Sequence, residues 1–107
     1  MAHYLIQAAY TSDAWAAMVK DPQDRIEAIR PVVESLGGRV VAGYLAFGEY
    51  DTIGILELPD NEVAATFAMA VAAGGALKAL KTTLLLTTQE GLGAASKAGA
   101  LSYRPPS

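Results

Sequence analysis

The sequence predicts a single α+β domain in which a four-stranded antiparallel sheet carries helices on one face. Three observations predict this fold: the chain length, the order of strand-like and helix-like segments, and a short polar link between the two middle strands. The 107 residues suit one domain, residues 1–107, and leave little room for a second. The segments follow the order β-α-β-β-α-β, and right-handed crossovers then place both main helices on one side of the sheet.

The first part of the chain predicts one strand and two helices. Residues 3–10, "HYLIQAAY", are rich in strand-forming side chains and end at a Thr-Ser-Asp cluster that is typical of a helix N-cap. A short helix is expected over residues 13–20. A longer amphipathic helix is expected over residues 21–38, with Asp21 as its cap and a glycine pair as its end. Pro31 should bend this helix, because proline removes one backbone donor.

Three further strands are expected, over residues 39–47, 52–58 and 76–87. The first two of these are joined by "GEYD", which is short enough for a hairpin and makes them antiparallel. A second main helix is expected over residues 59–75, with Asp60 or Asn61 as its cap. Thr88 is expected to cap a last short helix, and residues 100–107 to form an extended arm, since consecutive prolines prevent regular pairing.

This order of elements is that of a ferredoxin-like sandwich, whose sheet normally shows one apolar and one polar face. Both faces of this sheet are partly apolar. The chain is 52% hydrophobic with a mean hydropathy of +0.27, which is more apolar surface than one small core buries. We therefore expect a second copy of the chain to cover the helix-free face, giving a homo-oligomer, most simply a dimer of the dimeric α+β barrel type.

Composition excludes several classes of partner and site. A net charge of −3 and a pI near 4.9 make the chain a poor match for nucleic acid or anionic membranes. The chain has no cysteine, and its one histidine, His3, cannot form a histidine metal cluster, so neither a metal nor a cofactor is expected. No apolar run is long enough to span a bilayer, and no basic leader precedes the first strand, so we expect a cytoplasmic protein.

Several segments together resemble the GYD-domain family of small bacterial proteins: "YLIQAAYT", "RPVVESLGGRV", "GEYD" leading into "ILELPD", and "GGALKALKTT". The family is named after a motif that reads Gly48-Glu49-Tyr50-Asp51 in this chain. The resemblance covers nearly the whole chain in the right order, and it implies a ferredoxin-like domain that associates through its open sheet. It implies no particular activity, substrate or cofactor. The positions that match the family pattern are Thr11, Gly38, Gly48, Tyr50, Asp51, Glu57 and Thr82.

Glu57 is the first candidate for proton-transfer chemistry. It follows Ile53 and Ile55 on the same side of a predicted strand. A carboxylate among isoleucines and without a partner is a candidate catalytic acid or base. The structural alternative is that Glu57 lies at the strand end, in water or paired with Lys78 or Lys81.

The hairpin and the start of the first strand supply further candidates. Asp51 can accept backbone N–H groups in a polar hairpin, with Tyr50 covering the sheet edge. Alternatively, Asp51 or Glu49 lies at the rim of an inter-subunit pocket as a general base, with Tyr50 as hydrogen-bond donor. His3 is either an exposed residue at the strand start or a catalytic group.

A possible ligand site follows from the tyrosines. Tyr4, Tyr10 and Tyr44 are predicted on the helix-free face near Gln7, where they could hold a flat organic molecule. On the last strand Lys78, Lys81 and Thr82 suit an anion, or mark a solvated edge. The ligand-binding candidates are Tyr4, Gln7, Tyr44, Lys78 and Thr82, together with two hairpin residues, Glu49 and Tyr50.

Three classes of function remain open at this point. The first is a small-molecule-binding module with its pocket on the helix-free face or between subunits. The second is a cofactor-independent enzyme, an isomerase or oxygenase-like protein that moves a proton on an enolisable or aromatic substrate. The third is a purely structural oligomer. The shortage of His, Arg and Cys counts against an enzyme, so ligand binding is preferred over catalysis.

Overall fold

Four strands and four helices make up the computed structural model, which describes residues 1–107. In chain order they are β1 (Ala2–Tyr10), α1 (Ser12–Lys20), α2 (Arg25–Ser35), β2 (Arg39–Leu45), β3 (Thr52–Leu58), α3 (Asn61–Ala73), β4 (Leu77–Leu85) and α4 (Thr88–Gly99). The strands form one antiparallel sheet in the order β2-β3-β1-β4. This is the predicted ferredoxin-like α+β fold, with α1 inserted before α2 and α4 added after β4.

Two predicted helix starts are wrong, and the capping geometry explains both. The second helix begins at Arg25 rather than near Asp21, because the Asp24 carboxylate accepts the N–H groups of Ile26 and Glu27 at 3.0 and 3.1 Å. The last helix is capped by Thr87, one residue earlier than predicted, in a reciprocal capping box with Glu90.

The core lies between one face of the sheet and the helices α2 and α3. Its fully buried side chains are Val33 from α2, Phe67 from α3, and Leu56 and Leu58 from β3. Both helices therefore lie on the same face, as predicted. A buried leucine, valine or phenylalanine side chain contributes about 1.5–3 kcal/mol of transfer free energy, so these four residues hold the two helices on the sheet.

The predicted location of Tyr4 and Tyr10 is wrong. Both are buried on the helix face rather than on the helix-free face, hereafter the open face. Tyr4 donates its hydroxyl to Asn61 Oδ1 at 2.6 Å, at the start of α3. Alternation along a strand says which residues share a face, but it does not say which face receives the helices.

The environment of Tyr4 predicts alkaline destabilisation. Burial, and then the negative charge of Asp60, raise the pKa of the Tyr4 phenol above its ordinary value. The folded state therefore favours the protonated phenol, and this contribution is complete below about pH 10 and is lost as pH rises through the raised pKa. We expect the melting temperature of the wild type to fall more steeply above pH 10 than that of Tyr4→Phe. Tyr103→Phe, at an exposed tyrosine, is the control and should keep the wild-type slope.

A bulge in β2 changes which face its side chains occupy. Val40 pairs with Leu56 and Ala42 pairs with Ile55, so Val41 has no partner on β3. Val40 is buried on the helix face. After the extra residue Val41, the alternation of side chains between the two faces is displaced by one position. Tyr44 consequently lies on the open face, as predicted, where its side chain is 68% exposed.

The molecule is extended for its size. Its Cα radius of gyration is 17.1 Å, whereas a compact domain of this length has about 13 Å. Its accessible surface of 7395 Å² compares with about 5,700 Å² for a compact monomer of the same mass. The extra surface comes in part from α4, which has no buried residue. None of the helices has the length and apolar character that crossing a membrane requires.

Candidate functional site

Asp51 connects the hairpin to the junction of β1 and α1. Its carboxylate Oδ2 accepts the backbone N–H of Tyr10 at 2.9 Å and the indole N–H of Trp15 at 3.3 Å. The rings of Tyr10 and Trp15 meet edge to face, with centroids 5.6 Å apart. The Tyr10 and Thr52 hydroxyls share a hydrogen bond of 2.8 Å. We call these four residues, Asp51, Tyr10, Trp15 and Thr52, the Asp51 cluster.

The main-chain N–H and carbonyl of Asp51 are also both hydrogen-bonded. Its N–H donates to the carbonyl of Ala8 at 2.8 Å, and its carbonyl accepts the N–H of Ala46 at 2.7 Å. Asp51 therefore acts as the polar hairpin residue that the structural interpretation predicted. Glu49 is exposed and Tyr50 is half-buried beside it.

Glu57 has two partners, and neither is a lysine. It lies opposite His3 on β1 and opposite Arg39 on β2, in one row across the open face. Its Oε1 lies 3.3 Å from His3 Nε2, and its Oε2 accepts a hydrogen bond from Arg39 Nε. The expected carboxylate without a partner, and the alternative pairing with Lys78 or Lys81, are both wrong. The row brings two of the catalytic candidates, His3 and Glu57, together with Arg39, which the sequence did not single out.

The structure does not gather the predicted ligand-binding residues into one place. Gln7 lies on the open face between Ile53 and Lys81. Thr82 pairs with Ile6 and so belongs to the helix side of β4. Lys78 occupies the irregular position where the pairing of β1 and β4 shifts register. The other candidates are divided in the same way: Tyr44 on the open face, Tyr4 in the core, and Glu49 and Tyr50 in the hairpin.

A groove between α2 and α3 has a mostly apolar lining. Its volume is about 390 Å³, and 14 of its 18 lining residues are hydrophobic. The strands β1 and β3 form its floor, with Ile29 on one side and Phe67 on the other. Polar groups come from the Tyr10 and Thr52 hydroxyls, and Arg25 is the one charged residue of the lining. We call this cleft the helix-side groove.

A second cleft follows the outer edge of β2. Its volume is about 600 Å³, and its lining includes six consecutive residues of the β2 region, residues 40–45. The opposite wall is formed by α1, with Trp15 and Met18, and by the start of α2. We call this cleft the edge cleft.

Neither cleft contains the predicted catalytic residues. Glu57, Asp51 and His3 are absent from both linings. No group of three or more His, Cys, Asp or Glu side chains is placed to hold a metal ion. Sequence reasoning missed the helix-side groove. The apolar spacing of α2 and α3 shows that both face the sheet, but nothing in it indicates that they leave a gap between them.

The protein is a ferredoxin-like α+β protein, because its four antiparallel strands follow this order and α2 and α3 lie on one face of the sheet. Its candidate site is the apolar groove between these two helices. A sequence model of the GYD domain matches residues 4–95. The chain belongs to the GYD-domain family, as its motif predicted.

The chain is also similar to several known proteins. The chain is 28% identical over 80 residues to the "Glutamine synthetase and cystathionine beta-lyase binding protein" of Thermus thermophilus, a match that covers 75% of this chain and 84% of the relative. Among solved structures it is similar to the hypothetical protein PHS023 from Pyrococcus horikoshii, with a TM-score of 0.54 and 17% identity over 81% of this chain and 92% of the other. It is also similar to TTHA0845 from Thermus thermophilus, with a TM-score of 0.51 and 16% identity over 81% and 95% of the two chains. At these identities the two structures support the fold alone.

Proposed function

We propose that the protein is a non-catalytic binding protein that works as a homo-oligomer and holds a small molecule in the helix-side groove. The proposed ligand is an apolar molecule with one anionic group. The observation that carries the proposal is the composition of the groove, in which an apolar lining contains a single charged side chain, Arg25.

The dimensions and chemistry of the groove support a ligand of this class. Its volume of about 390 Å³ lies in the range of small-molecule sites, about 300–1,000 Å³. Phe67 and Ile29 would cover the apolar body of the ligand. The Tyr10 and Thr52 hydroxyls would orient it, and the Arg25 guanidinium would pair with its anionic group. The site thus lies on the helix side of the sheet rather than on the open face where the tyrosines first suggested it.

The open face supports the homo-oligomer. It carries Leu5, Ile53, Ile55 and Leu85, which are outside the core cluster and only half-buried in the single chain. At one end of the face the charge of Glu57 is already balanced by Arg39 and His3. This row of paired charges would add little to the free energy of association, but it would fix how the two sheets are oriented.

The contacts of the acidic residues favour binding over catalysis. Asp51 accepts two N–H groups, Glu57 has two side-chain partners, and neither residue lines a cleft, so both are placed to hold elements of the fold together rather than to meet a substrate there. The Thermus relative is named for binding other proteins rather than for a reaction, which supports the same general class.

A fluorescent probe tests the groove. Anilinonaphthalene sulfonate is an aromatic anion of the proposed class, and its emission should rise on binding to the wild type. Ala70→Phe places a ring in the groove and should abolish most of this binding. Ala65→Phe is the matched control, at an exposed position of the same helix outside the groove, and should bind like the wild type. Arg25→Gln should weaken binding by about fivefold or more, because it removes the charged partner of the sulfonate.

Equal binding by the wild type and Ala70→Phe would exclude the groove as the site. Native mass spectrometry of the freshly purified protein completes the test, because it reports the number of subunits and any retained small molecule together. We expect a mass of at least two chains. A single chain at micromolar concentration would contradict the oligomer, whatever the result of the probe experiment.

A further inference from the structure

The last part of the chain buries almost none of its surface against the rest of the same chain. We call residues 88–107, which comprise α4 and the arm that follows it, the C-terminal extension. Every residue of the extension is exposed except the half-buried Gly91. Leu92, Leu101 and Tyr103 are each more than 70% exposed. A single helix of this length is marginal in water even when it is well capped, so the extension has the character of a segment that packs on another chain.

The two edges of the sheet differ in their protection. The outer strand β4 carries Lys78 and Lys81, and charged residues on an edge strand discourage pairing with another chain. The β2 edge ends instead in large exposed apolar side chains, Tyr44, Leu45 and Phe47, which are 68%, 63% and 99% exposed. The β2 edge is therefore the one that is open to a further strand.

Backbone groups of β2 are directed toward that open edge. Ala46 donates its N–H to the Asp51 carbonyl across the hairpin. Since alternate residues of an antiparallel strand direct their N–H and C=O groups to opposite sides, Leu45 and Gly43 direct theirs away from β3. The edge cleft lies along this same strand, with Trp15 and Met18 on its far wall.

We propose that the arm of one copy, residues 101–107, occupies the edge cleft of a second copy. Leu101 to Arg104 add to the free edge of β2 as a short strand, and Tyr103 enters the cleft. Pro105 and Pro106 continue in an extended conformation against Trp15 on the far wall of the cleft. Proline-rich segments bind aromatic grooves in this way. Proline is compatible with this position because an added edge strand needs few of its own N–H donors.

The positions of the arm and the edge cleft favour an arm that comes from a second copy over an arm that folds back onto its own chain. The extension follows β4, at the opposite edge of the sheet from β2, so α4 begins on the far side of the molecule from the edge cleft. The arm of seven residues is as long as β2, which also has seven residues, and both span about 23 Å when extended.

The excess surface is large enough for this contact in addition to the open face. The chain exposes about 1,700 Å² more than a compact monomer of its mass. A standard interface buries about 800 Å² per partner, so the excess corresponds to about two such interfaces. The arm contact does not depend on a ligand in the helix-side groove.

Engineered cysteines test the contact in the full chain, which contains no cysteine of its own. Two single variants, Leu45→Cys and Leu101→Cys, replace exposed side chains, leave Tyr103 in place, and are mixed under mild oxidation. We expect the mixed sample to form predominantly a disulfide-linked pair that contains one chain of each variant, because a specific contact gives the two thiols an effective concentration of about millimolar. The matched control mixes Leu101→Cys with Lys81→Cys, at the other edge, and should give little cross-linking.

Two results would overturn the proposal. One is cross-linking of Leu101→Cys equally to both edges, or to neither edge. The other is a Leu45→Cys protein that links mainly to itself, since the β2 edges of two copies would then pair with each other.

Trp15 gives a second measurement, because it is the only tryptophan and lines the edge cleft. In full-length Tyr103→Asp its emission should move to longer wavelength, whereas Tyr103→Phe should keep the wild-type spectrum. Unchanged emission in Tyr103→Asp would contradict an arm in the cleft. Probe binding in the helix-side groove should be unaffected in both variants, so failure of this inference can be distinguished from failure of the proposed function.

Discussion

Replacing Asp51 by alanine is expected to lower the free energy of unfolding by about 2–3 kcal/mol, measured by urea denaturation and followed by circular dichroism. The substitution removes the acceptor of two donors, the backbone N–H of Tyr10 and the indole N–H of Trp15. Leaving one partly buried donor without a partner costs about 1–3 kcal/mol, and these two donors lie where β1 ends and α1 begins.

Two control variants separate this explanation from a general effect of charge in the hairpin. Asp51→Asn keeps one side-chain oxygen that can accept a hydrogen bond, so it should lose less than half as much stability as the alanine variant. Glu49→Ala removes an exposed carboxylate two residues away and should change stability by less than about 0.5 kcal/mol. If Glu49→Ala were as destabilising as Asp51→Ala, the role assigned to the Asp51 cluster would be wrong.

Gly38→Ala is expected to be the most destabilising single-methyl addition in the chain. A Cβ at this position would lie 2.2 Å from the main-chain oxygen of Glu57 and 2.7 Å from Leu58 Cδ2. The Glu57 backbone cannot move away easily, because it is paired with His3 on one side and Arg39 on the other. We expect a loss of about 3 kcal/mol, or roughly 12–24 °C in melting temperature by calorimetry.

The same substitution at two other glycines provides the comparison. The three atoms nearest to a Cβ at Gly43 all belong to the side chain of Ile26, which can change rotamer, so Gly43→Ala should cost less stability than Gly38→Ala. A Cβ at Gly91 would have no neighbour within 4 Å, and alanine is the better helix former, so Gly91→Ala should not destabilise the protein. Equal losses of stability in Gly38→Ala and Gly43→Ala would contradict this explanation, because the main chain of Glu57 would then move as easily as the side chain of Ile26.

The fold could be predicted because its signals are local. The strand β3 was predicted with its observed bounds, residues 52–58, and the glycine pairs mark the ends of α2 and α3. The start of α2 was misplaced because Asp21 and Asp24 are both acceptable caps in sequence terms. Only the structure shows that Asp24 reaches the N–H groups of Ile26 and Glu27.

The arrangement of side chains around the sheet was harder to predict, because it depends on contacts between distant segments. A regular period of two places Val40 and Tyr44 on the same face, but the bulge at Val41 places them on opposite faces. Likewise, the isoleucines around Glu57 suggested an isolated carboxylate. Its partners His3 and Arg39 come from neighbouring strands, and sequence spacing contains no information about them.

The contacts of Asp51 bear on how the family motif should be used to annotate genomes. In this chain the motif's aspartate fastens the hairpin to the first strand and helix, and none of the three catalytic candidates lies in either cleft. In this chain the motif therefore marks the architecture rather than a site. A substrate or partner has to be inferred from the residues that line the clefts.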